Sequence, residues 1–325
     1  MRRRSTLRIA AAGLTGALLP GLHAQPAAFP AKALRIVVPF AAGGVGDLTA
    51  RAVATGLAGR LGQPVVIDNR PGAGGVVAAD TVARAEPDGH TLFLMSNGTA
   101  VTAGLFKTLP YDTLADFTPI STLGTFDIAV LVPADSPHRT LAQLLAHARA
   151  HPGQLNIGSI NMGSTQHLAA ELFKSSAAID AQVVPFNGTP ALITALRGRQ
   201  VDAGVETLGP ALPQVRAGAL RVLAVTGEQR SAVLPDVPTA VESGVQGFVA
   251  SSWNALAVPA HTPRPVVDRL QRELVAVLAI PTVQQQLRTL NVEPRASTSQ
   301  QAAALLKADI ERWRTVIERA GIPRQ

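Results

Sequence analysis

The chain has 325 residues, including 28 glycines and 24 prolines, a formal net charge of +7 and no cysteine. This length suits two lobes of ordinary domain size, and the alternation of strand-like and helix-like segments is typical of an α/β protein with short connections. Without cysteine, disulfides, thiol chemistry and a lipid-anchored cysteine are excluded.

Residues 1–24 predict an export signal. Three arginines at positions 2–4 precede an apolar stretch from Ile9 to Leu19, which is too short for a stable membrane anchor. Residues 3–8 also resemble a twin-arginine signal, so we expect cleavage near Ala24 after export by the Sec or the twin-arginine route. The remaining chain carries 25 basic and 22 acidic residues, a net charge of +3. We therefore expect a periplasmic protein with no nucleic-acid partner.

The first strand-like segment, Leu34 to Phe40, runs into a glycine-rich loop that opens into a helical pattern. Unpaired N–H groups and the positive end of a helix dipole predict an anion site there. Gly43 and Gly44 allow close backbone approach, and Asp47 is the expected cap of the helix. A tight turn without a ligand is the alternative. A dinucleotide fingerprint is excluded, because Thr49 stands where its third glycine is needed.

Two further strands are predicted in this half. The strand Gln63–Asp68 leads through a glycine-rich loop into a helix from Val76 to Ala85, and His90–Met95 forms the third strand. Ser96-Asn97-Gly98-Thr99 follows as an exposed polar cluster at the carboxyl end of that strand, where ligands collect in open α/β sheets. The alternative is that Ser96 and Asn97 only cap their own backbone.

The middle of the chain predicts a second lobe with helix starts of the same kind. The apolar strand Phe126–Pro133 is expected to make the first crossing between lobes. Strands at 155–159 and 182–186 each run into a polar loop and then a helix, and Ser164 or Thr165 is the expected N-cap of the first. A strand at 201–205 precedes Glu206 and a helix at 210–217. The segment 248–258 is expected to return the chain to the first lobe.

Candidate chemical groups in this region are few. His147 and His151 lie four residues apart, but we interpret them as solvated surface histidines, because no third metal ligand is evident nearby. Ser164 and His167 lack a nucleophile elbow and a third catalytic member. Two apolar stripes in the tail, at 266–278 and 306–317, predict helices packed on the first lobe.

Several motifs together make the chain resemble the tripartite tricarboxylate transporter substrate-binding receptors, the Bug or TctC-like family. The resemblance covers essentially the whole mature chain, with the motifs in the family's order. They are Val38-Pro39-Phe40 with the following glycines and Asp47, Asn69–Gly75, Pro87–Leu92, Leu109–Asp112, Leu234–Thr239 with Glu242 and Gly244, and Pro259–Pro263.

The resemblance implies a type II periplasmic-binding fold, with two α/β lobes, a double crossover and a ligand cleft that closes as a Venus flytrap does. Residues 25–131 and 250–325 would form lobe 1, and residues 132–249 lobe 2. In the family, loop backbone groups hold carboxylates. The positions expected to bind the ligand here are Phe40, Ala42, Gly43, Gly44, Asp47, Ser96, Asn97, Thr99, Gly163, Ser164, Thr165, Phe186, Asn187, Gly188, Thr189 and Glu206.

Three departures from the family pattern bear on the ligand. Phe186 and Asn187 stand where family members commonly have tyrosine and lysine, and Ala100 replaces a frequent histidine. Glu206 places an acid on a loop near the predicted cleft. We hypothesise a ligand less anionic than a tricarboxylate, such as a monocarboxylate or an amide- or amine-bearing acid that Glu206 could meet. The alternative is that Glu206 faces solvent.

The expected function is that of a solute-binding receptor, not an enzyme, that delivers a small organic acid to a membrane permease. We expect a monomer without cofactor or metal. A sensor subunit for a membrane kinase is the alternative. An exported hydrolase or lyase is a third possibility, disfavoured because no triad, metal set or cofactor lysine is recognisable.

Overall fold

The computed structural model describes residues 29–325, so the predicted signal segment lies outside the described residues. The elements in chain order are β1 (Leu34–Val38), α1 (Val45–Leu61), β2 (Val65–Asn69), α2 (Val76–Ala83), β3 (Thr91–Ser96), α3 (Asn97–Leu105), β4 (Phe117–Pro133), α4 (Leu141–Ala150), β5 (Leu155–Ile160), α5 (Thr165–Ala177), β6 (Ala181–Phe186), α6 (Thr189–Arg197), β7 (Ala203–Thr207), α7 (Leu208–Arg216), β8 (Leu220–Val225), β9 (Ser251–Pro259), α8 (Arg264–Leu278), α9 (Pro281–Thr289), β10 (Val292–Pro294) and α10 (Ser299–Arg319). A single 3-10 turn, Ala73–Gly75, precedes α2.

The strands form two sheets that share β4. In the first sheet the order is β2-β1-β3-β9-β4-β10, with β1 parallel to β2 and β3 and the other pairs antiparallel. In the second sheet β8 and β7 flank the later part of β4, and β5 and β6 continue in parallel beyond β7. Each sheet belongs to one lobe.

Two connections cross between the sheets. β4 pairs with β9 as far as Asp127 and with β7 from Ile128, so one continuous strand serves both sheets. The return connection lies beside it, because the Ala250 N–H donates to the Thr226 carbonyl at 2.8 Å just before β9 begins. The predicted α/β fold with two lobes and a double crossover is confirmed, while the residue boundaries of the lobes stay a prediction.

Helices cover both faces of both sheets. In the first lobe, α1, α8 and α9 pack on one face and α2, α3 and α10 on the other. In the second, α4 and α5 pack opposite α6 and α7. A parallel sheet covered on both sides reads as a continuous apolar run, as in Leu34–Val38, where only Arg35 is not fully buried. The cores place the carboxyl ends of the parallel strands toward the gap between the lobes.

Some element bounds differ from the sequence-based expectation. α2 ends at Ala83 rather than Ala85, and α7 begins at Leu208 rather than Pro210. β4 is longer than the predicted 126–133, because its first half is polar in sequence yet buried: Ser121 and Thr122 exchange hydrogen bonds with Ser297 before α10. The two apolar stripes of the tail lie on α8 and α10 as predicted. Among residues 29–325, no helix combines the length and apolarity needed to span a bilayer.

Candidate functional site

A cavity lies between the lobes, beside the crossover strands. The space between its walls is about 390 Å³ when the part open to solvent is counted with it. Lobe 1 supplies the loop after β1, lobe 2 supplies the starts of α5 and α6, and β4 and β9 form the floor. The lining residues are Phe40, Ala41, Gly44, Val45, Gly46, Ser96, Phe126, Ile160, Thr165, Gln166, Gly188, Thr189, Ser252 and Asn254.

The two lobes touch each other around this cavity. Gly74 and Gly163 meet backbone to backbone, so that a Cβ added to Gly163 would lie 3.0 Å from the Gly74 Cα. A Cβ on Gly188 would lie 2.8 Å from the Ala41 Cβ. Any larger side chain at these positions would separate the lobes. The structure is therefore a closed form of the cleft.

The start of α1 presents its backbone to the cavity. Gly44 is the N-cap and has no side chain with which to occupy the first-turn N–H groups. Gly44, Val45 and Gly46 all line the cavity. The N-terminal end of α1 is thus an anion-attracting wall of the cleft.

Asp47 holds this loop and does not cap the helix as predicted. It lies in the first turn of α1, is buried, and accepts hydrogen bonds from the Gly43 N–H at 2.9 Å, the Asn69 amide at 3.0 Å and the Arg51 guanidinium at 3.0 Å. Burial alone would raise the pKa of Asp47, but the bonds from Arg51, Gly43 and Asn69 outweigh it and lower that pKa. Asp47 is not among the lining residues; it fixes the backbone of those that are.

The start of α6 faces the start of α1 across the cavity. Its N-cap is Gly188, at φ +92°, again without a side-chain cap. A Cβ on Gly44 would lie 3.3 Å from the Thr189 hydroxyl, which shows how closely the two helix starts approach. The start of α5 differs, because the predicted cap Ser164 accepts from the His167 N–H at 3.1 Å. Two uncapped helix starts therefore converge on one point.

The cluster predicted as exposed after β3 is buried instead. Ser96 and Thr99 form a reciprocal capping box at the start of α3. The alternative that Ser96 caps its own backbone is therefore realised, although Ser96 also lines the cavity. The strand runs straight into the helix without an intervening loop, which is why the polar residues are covered.

Asn97 joins the lobes. Its Oδ1 accepts from the Thr165 hydroxyl of lobe 2 at 3.2 Å, and its Nδ2 donates to Asp309 on α10 at 2.8 Å. Asp309 also accepts from the Trp253 indole at 2.6 Å. All four side chains are buried. The carboxylate orients the Asn97 amide so that its oxygen meets Thr165 only when the lobes are closed.

Glu206 lies in β7, one residue before its end, and is completely buried, so neither the predicted loop position nor the alternative of a solvent-facing acid is correct. Its Oε1 accepts from Gln166 Nε2 at 2.8 Å and from Thr207, while its Oε2 has no partner in the described structure. Burial raises the pKa of Glu206, and the bonds from Gln166 and Thr207, with a smaller effect of the Thr189 hydroxyl, only partly oppose it. Since Gln166 lines the cavity and Glu206 accepts its hydrogen bond, the side chain of Gln166 separates the acid from the cavity.

Six of the sixteen positions predicted to bind the ligand line the cavity. The other ten do not line it. The lining positions are Phe40, Gly44, Ser96, Thr165, Gly188 and Thr189. Ala42 and Asn187 are exposed, and Phe186 packs partly buried against the core of lobe 2. Whether any of these residues binds a ligand stays a prediction.

Sequence reasoning missed the floor of the cavity. Ser252 and Asn254 line the cavity from β9, and Gln166 lines it from the start of α5. Asn254 is fully buried, and neither atom of its amide has a partner in the described structure. The sequence did contain a clue to this floor: Asn254 is a polar residue in the otherwise mostly apolar strand β9.

No catalytic group emerges at the weighed Ser164/His167 pair. The Ser164 hydroxyl is used by the His167 backbone N–H and the Ile160 carbonyl, and the His167 ring contacts Ser159 at 3.3 Å. The rings of His147 and His151 stack with a centroid distance of 4.4 Å. Across residues 29–325, no group of three or more histidine, aspartate or glutamate side chains is arranged to hold a metal ion.

The chain is similar to the same family of known proteins both in its sequence and in its fold. The profile of the "Tripartite tricarboxylate transporter family receptor" matches residues 49–322. Protein BugT of Bordetella pertussis is 33% identical over 295 residues, 90% of each chain. Among solved structures, R. palustris Rpa4515 with adipate is 34% identical with a TM-score of 0.88, covering 91% of this chain and 99% of its own. MatC from Rhodopseudomonas palustris with bound malate is 34% identical with a TM-score of 0.83, covering 89% and 100%.

Proposed function

Because the chain belongs to the tripartite tricarboxylate transporter receptor family, we propose that it is a periplasmic receptor that binds a small carboxylate by lobe closure and delivers it to an integral membrane permease. Solved structures of two relatives, one with adipate and one with bound malate, support a carboxylate as the class of ligand. The observation that carries the proposal is the convergence of two uncapped helix starts, those of α1 and α6, on one closed cavity.

The lining of the cavity favours a ligand of low negative charge. None of its fourteen residues is charged, so the positive potential comes only from backbone N–H groups and helix dipoles. Such a site suits one carboxylate group, because the uncapped starts of α1 and α6 both line it; at α6 the helix dipole counts more than N–H groups, since Pro190 in its first turn has no N–H. A ligand less anionic than a tricarboxylate fits this lining better than a tricarboxylate does.

Calorimetry and thermal-shift measurements on the mature protein test the binding step. We expect adipate, malate or a short monocarboxylate to raise the melting temperature, and Gly44→Ala to weaken that binding about tenfold or more, because the new methyl group fills the narrow gap to Thr189. Gly59→Ala on the same helix is the matched control, since nothing lies within 4 Å of its added Cβ.

The outcomes separate clearly. Binding that is lost in Gly44→Ala and retained in Gly59→Ala supports a ligand held at the start of α1. No shift with any mono-, di- or tricarboxylate would overturn the proposed ligand class. For the delivery step, uptake of the acid should fall in cells lacking the protein and recover with the wild-type chain but not with Gly44→Ala.

A further inference from the structure

Asn254 is an unexplained polar group at the floor of the cavity. It sits on β9, where its backbone pairs with Ser96 of β3 and with Gly124 of β4, beside a register shift between Thr122 and Gly124. Its side chain lines the cavity and is fully buried, yet neither Oδ1 nor Nδ2 has a hydrogen-bond partner in the described structure. An amide buried without partners has lost its hydrogen bonds to water and gained none in return, which is unfavourable for each unpaired atom. Such a side chain is retained where a ligand supplies the missing bonds.

The part of the cavity lined by Gln166 has the same character. The Gln166 amide donates through Nε2 to Glu206, which directs its oxygen away from that acid as a free acceptor. Glu206 stands behind it with an unpaired Oε2. No cation lines the cavity to balance a second negative group at this end. A ligand carboxylate here could accept from Asn254 Nδ2, but it has no proton to donate to the oxygens of Asn254, Gln166 and Glu206.

The two amide atoms of Asn254 define which ligand group fits. An ammonium group only donates and a carboxylate only accepts, so each would leave one atom of Asn254 unpaired. A primary carboxamide donates and accepts in one plane and pairs with an asparagine side chain through two parallel bonds. It is also uncharged, as this end of the cavity requires.

Resting on the carboxylate receptor proposed above, we propose that Asn254 is a specificity-determining residue that pairs with a primary carboxamide, so that the ligand is a monocarboxylate bearing a terminal amide. The carboxylate end lies at the helix starts of α1 and α6. The amide end lies at the floor, between Asn254 and Gln166. The earlier hypothesis concerned only the low negative charge of the ligand. This proposal adds one chemical group, a terminal carboxamide.

Calorimetry with matched probe pairs tests this assignment. The pairs are succinate with succinamate, glutarate with glutaramate, and adipate with adipamate, measured at neutral pH so that every carboxyl group is ionised. In the wild-type protein we expect the best monoamide to bind about 10- to 100-fold more tightly than its diacid, since a site built to hydrogen-bond one group rejects an analogue that leaves its polar atoms unpaired.

Variants of Asn254 identify the residue responsible. Asn254→Leu keeps the volume and removes both polar atoms, so the monoamide and its diacid should differ by less than about threefold, while butyrate binding persists. The same substitution should raise the melting temperature of the free protein, because an unpaired buried amide is removed. The control is Asn156→Leu on β5, which lies outside the cavity lining and should keep the wild-type preference.

The results distinguish a wrong assignment of Asn254 from a wrong proposed function. If the diacids bind as tightly as the monoamides, or if Asn254→Leu keeps the preference, the assignment of Asn254 is wrong while the carboxylate receptor stands. If neither butyrate, diacids nor monoamides bind, the proposed function fails and this inference fails with it.

Discussion

Asp47 and Glu206 are two buried carboxyl groups with opposite surroundings. Asp47 receives a guanidinium, an amide and a backbone N–H, whereas Glu206 receives three neutral donors on one oxygen and none on the other. The first group is held ionised and fixes the loop that lines the cavity. Ionising the second group costs folding stability, because burial disfavours its charged form.

Replacing Glu206 exposes this cost. The pKa of Glu206 is raised in the folded state, so its favourable contribution is present below the ordinary carboxyl range and is lost as the pH rises through the raised value. Glu206→Gln does not titrate. We therefore expect its melting temperature to match the wild type at about pH 4 and to exceed it by a few degrees at about pH 8.

Thermal unfolding over this pH range, without ligand, makes the measurement. Glu311→Gln, an exposed position on α10, is the control and should show no pH-dependent difference. A wild-type protein that is more stable than Glu206→Gln at pH 8 would contradict the burial argument.

At the scale of elements, the N-terminal ends of helices have two roles: some line the cavity and others connect the lobes. The starts of α1 and α6 have no side-chain cap and line the cavity, while those of α3 and α5 are capped by serine and contact each other across the cleft. The bond from Thr165 at the start of α5 to Asn97 at the start of α3 spans the cleft. Asp309 on α10 fixes the orientation of Asn97 from behind. The C-terminal helix thereby supports closure without touching the cavity.

Removing the bond between these helices should shift the balance between open and closed forms. Thr165→Val keeps the shape and deletes the donor, leaving the Asn97 oxygen unpaired only in the closed form. We expect about a 3- to 10-fold loss of ligand affinity, corresponding to one buried hydrogen bond, with little change in the melting temperature of the free protein. Calorimetry gives the affinity. Thr315→Val, on the exposed side of α10, should change neither, and an unchanged affinity in Thr165→Val would refute the role of this bond.

The sequence predicted the elements better than it predicted what their polar residues do. Glycines after β1 and before α6 mark backbone positions, and these positions line the cavity because loop geometry is local. Asn97, Glu206 and Asn254 could not be assigned in the same way, because their partners are 40 to more than 200 positions away or absent from the chain. The first half of β4 was missed for a related reason: its hydroxyl groups are satisfied by Ser297, far along the sequence.

On the scale of the whole molecule, closure depends on glycines that let two backbones meet. Gly74 and Gly163 have φ of +66° and +83°, and each lies within van der Waals contact of the other lobe. Gly163 was predicted as a ligand-binding residue, yet it is not among the residues lining the cavity. Its position assigns it to the contact between lobes.

Gly163→Ala should therefore hold the lobes apart. The added Cβ strains a positive-φ position by about 1–2 kcal/mol and also lies 3.0 Å from Gly74. Gly218→Ala carries the same backbone strain at φ +69°, with nothing within 4 Å. We expect both variants to lower the melting temperature, but only Gly163→Ala to lose about tenfold or more in affinity.

Small-angle X-ray scattering with saturating ligand completes the comparison. The radius of gyration should stay larger in Gly163→Ala than in Gly218→Ala. Equal radii and equal affinities would show that the lobes do not need this contact.

The pairing of β4 with β9 has a mechanical consequence. These strands are hydrogen-bonded from Phe117 with Pro259 to Asp127 with Ser251, directly up to the point where β4 enters the second sheet. Backbone hydrogen bonds keep the two strands from sliding past each other, on both sides of the register shifts at Pro119/Ser121 and Thr122/Gly124, so the lobes can rotate but cannot shear along the strands. The lobes should therefore rock about a single axis, so that one spectroscopic distance between labels on α2 and α6 describes the entire motion, from open to closed, as one coordinate.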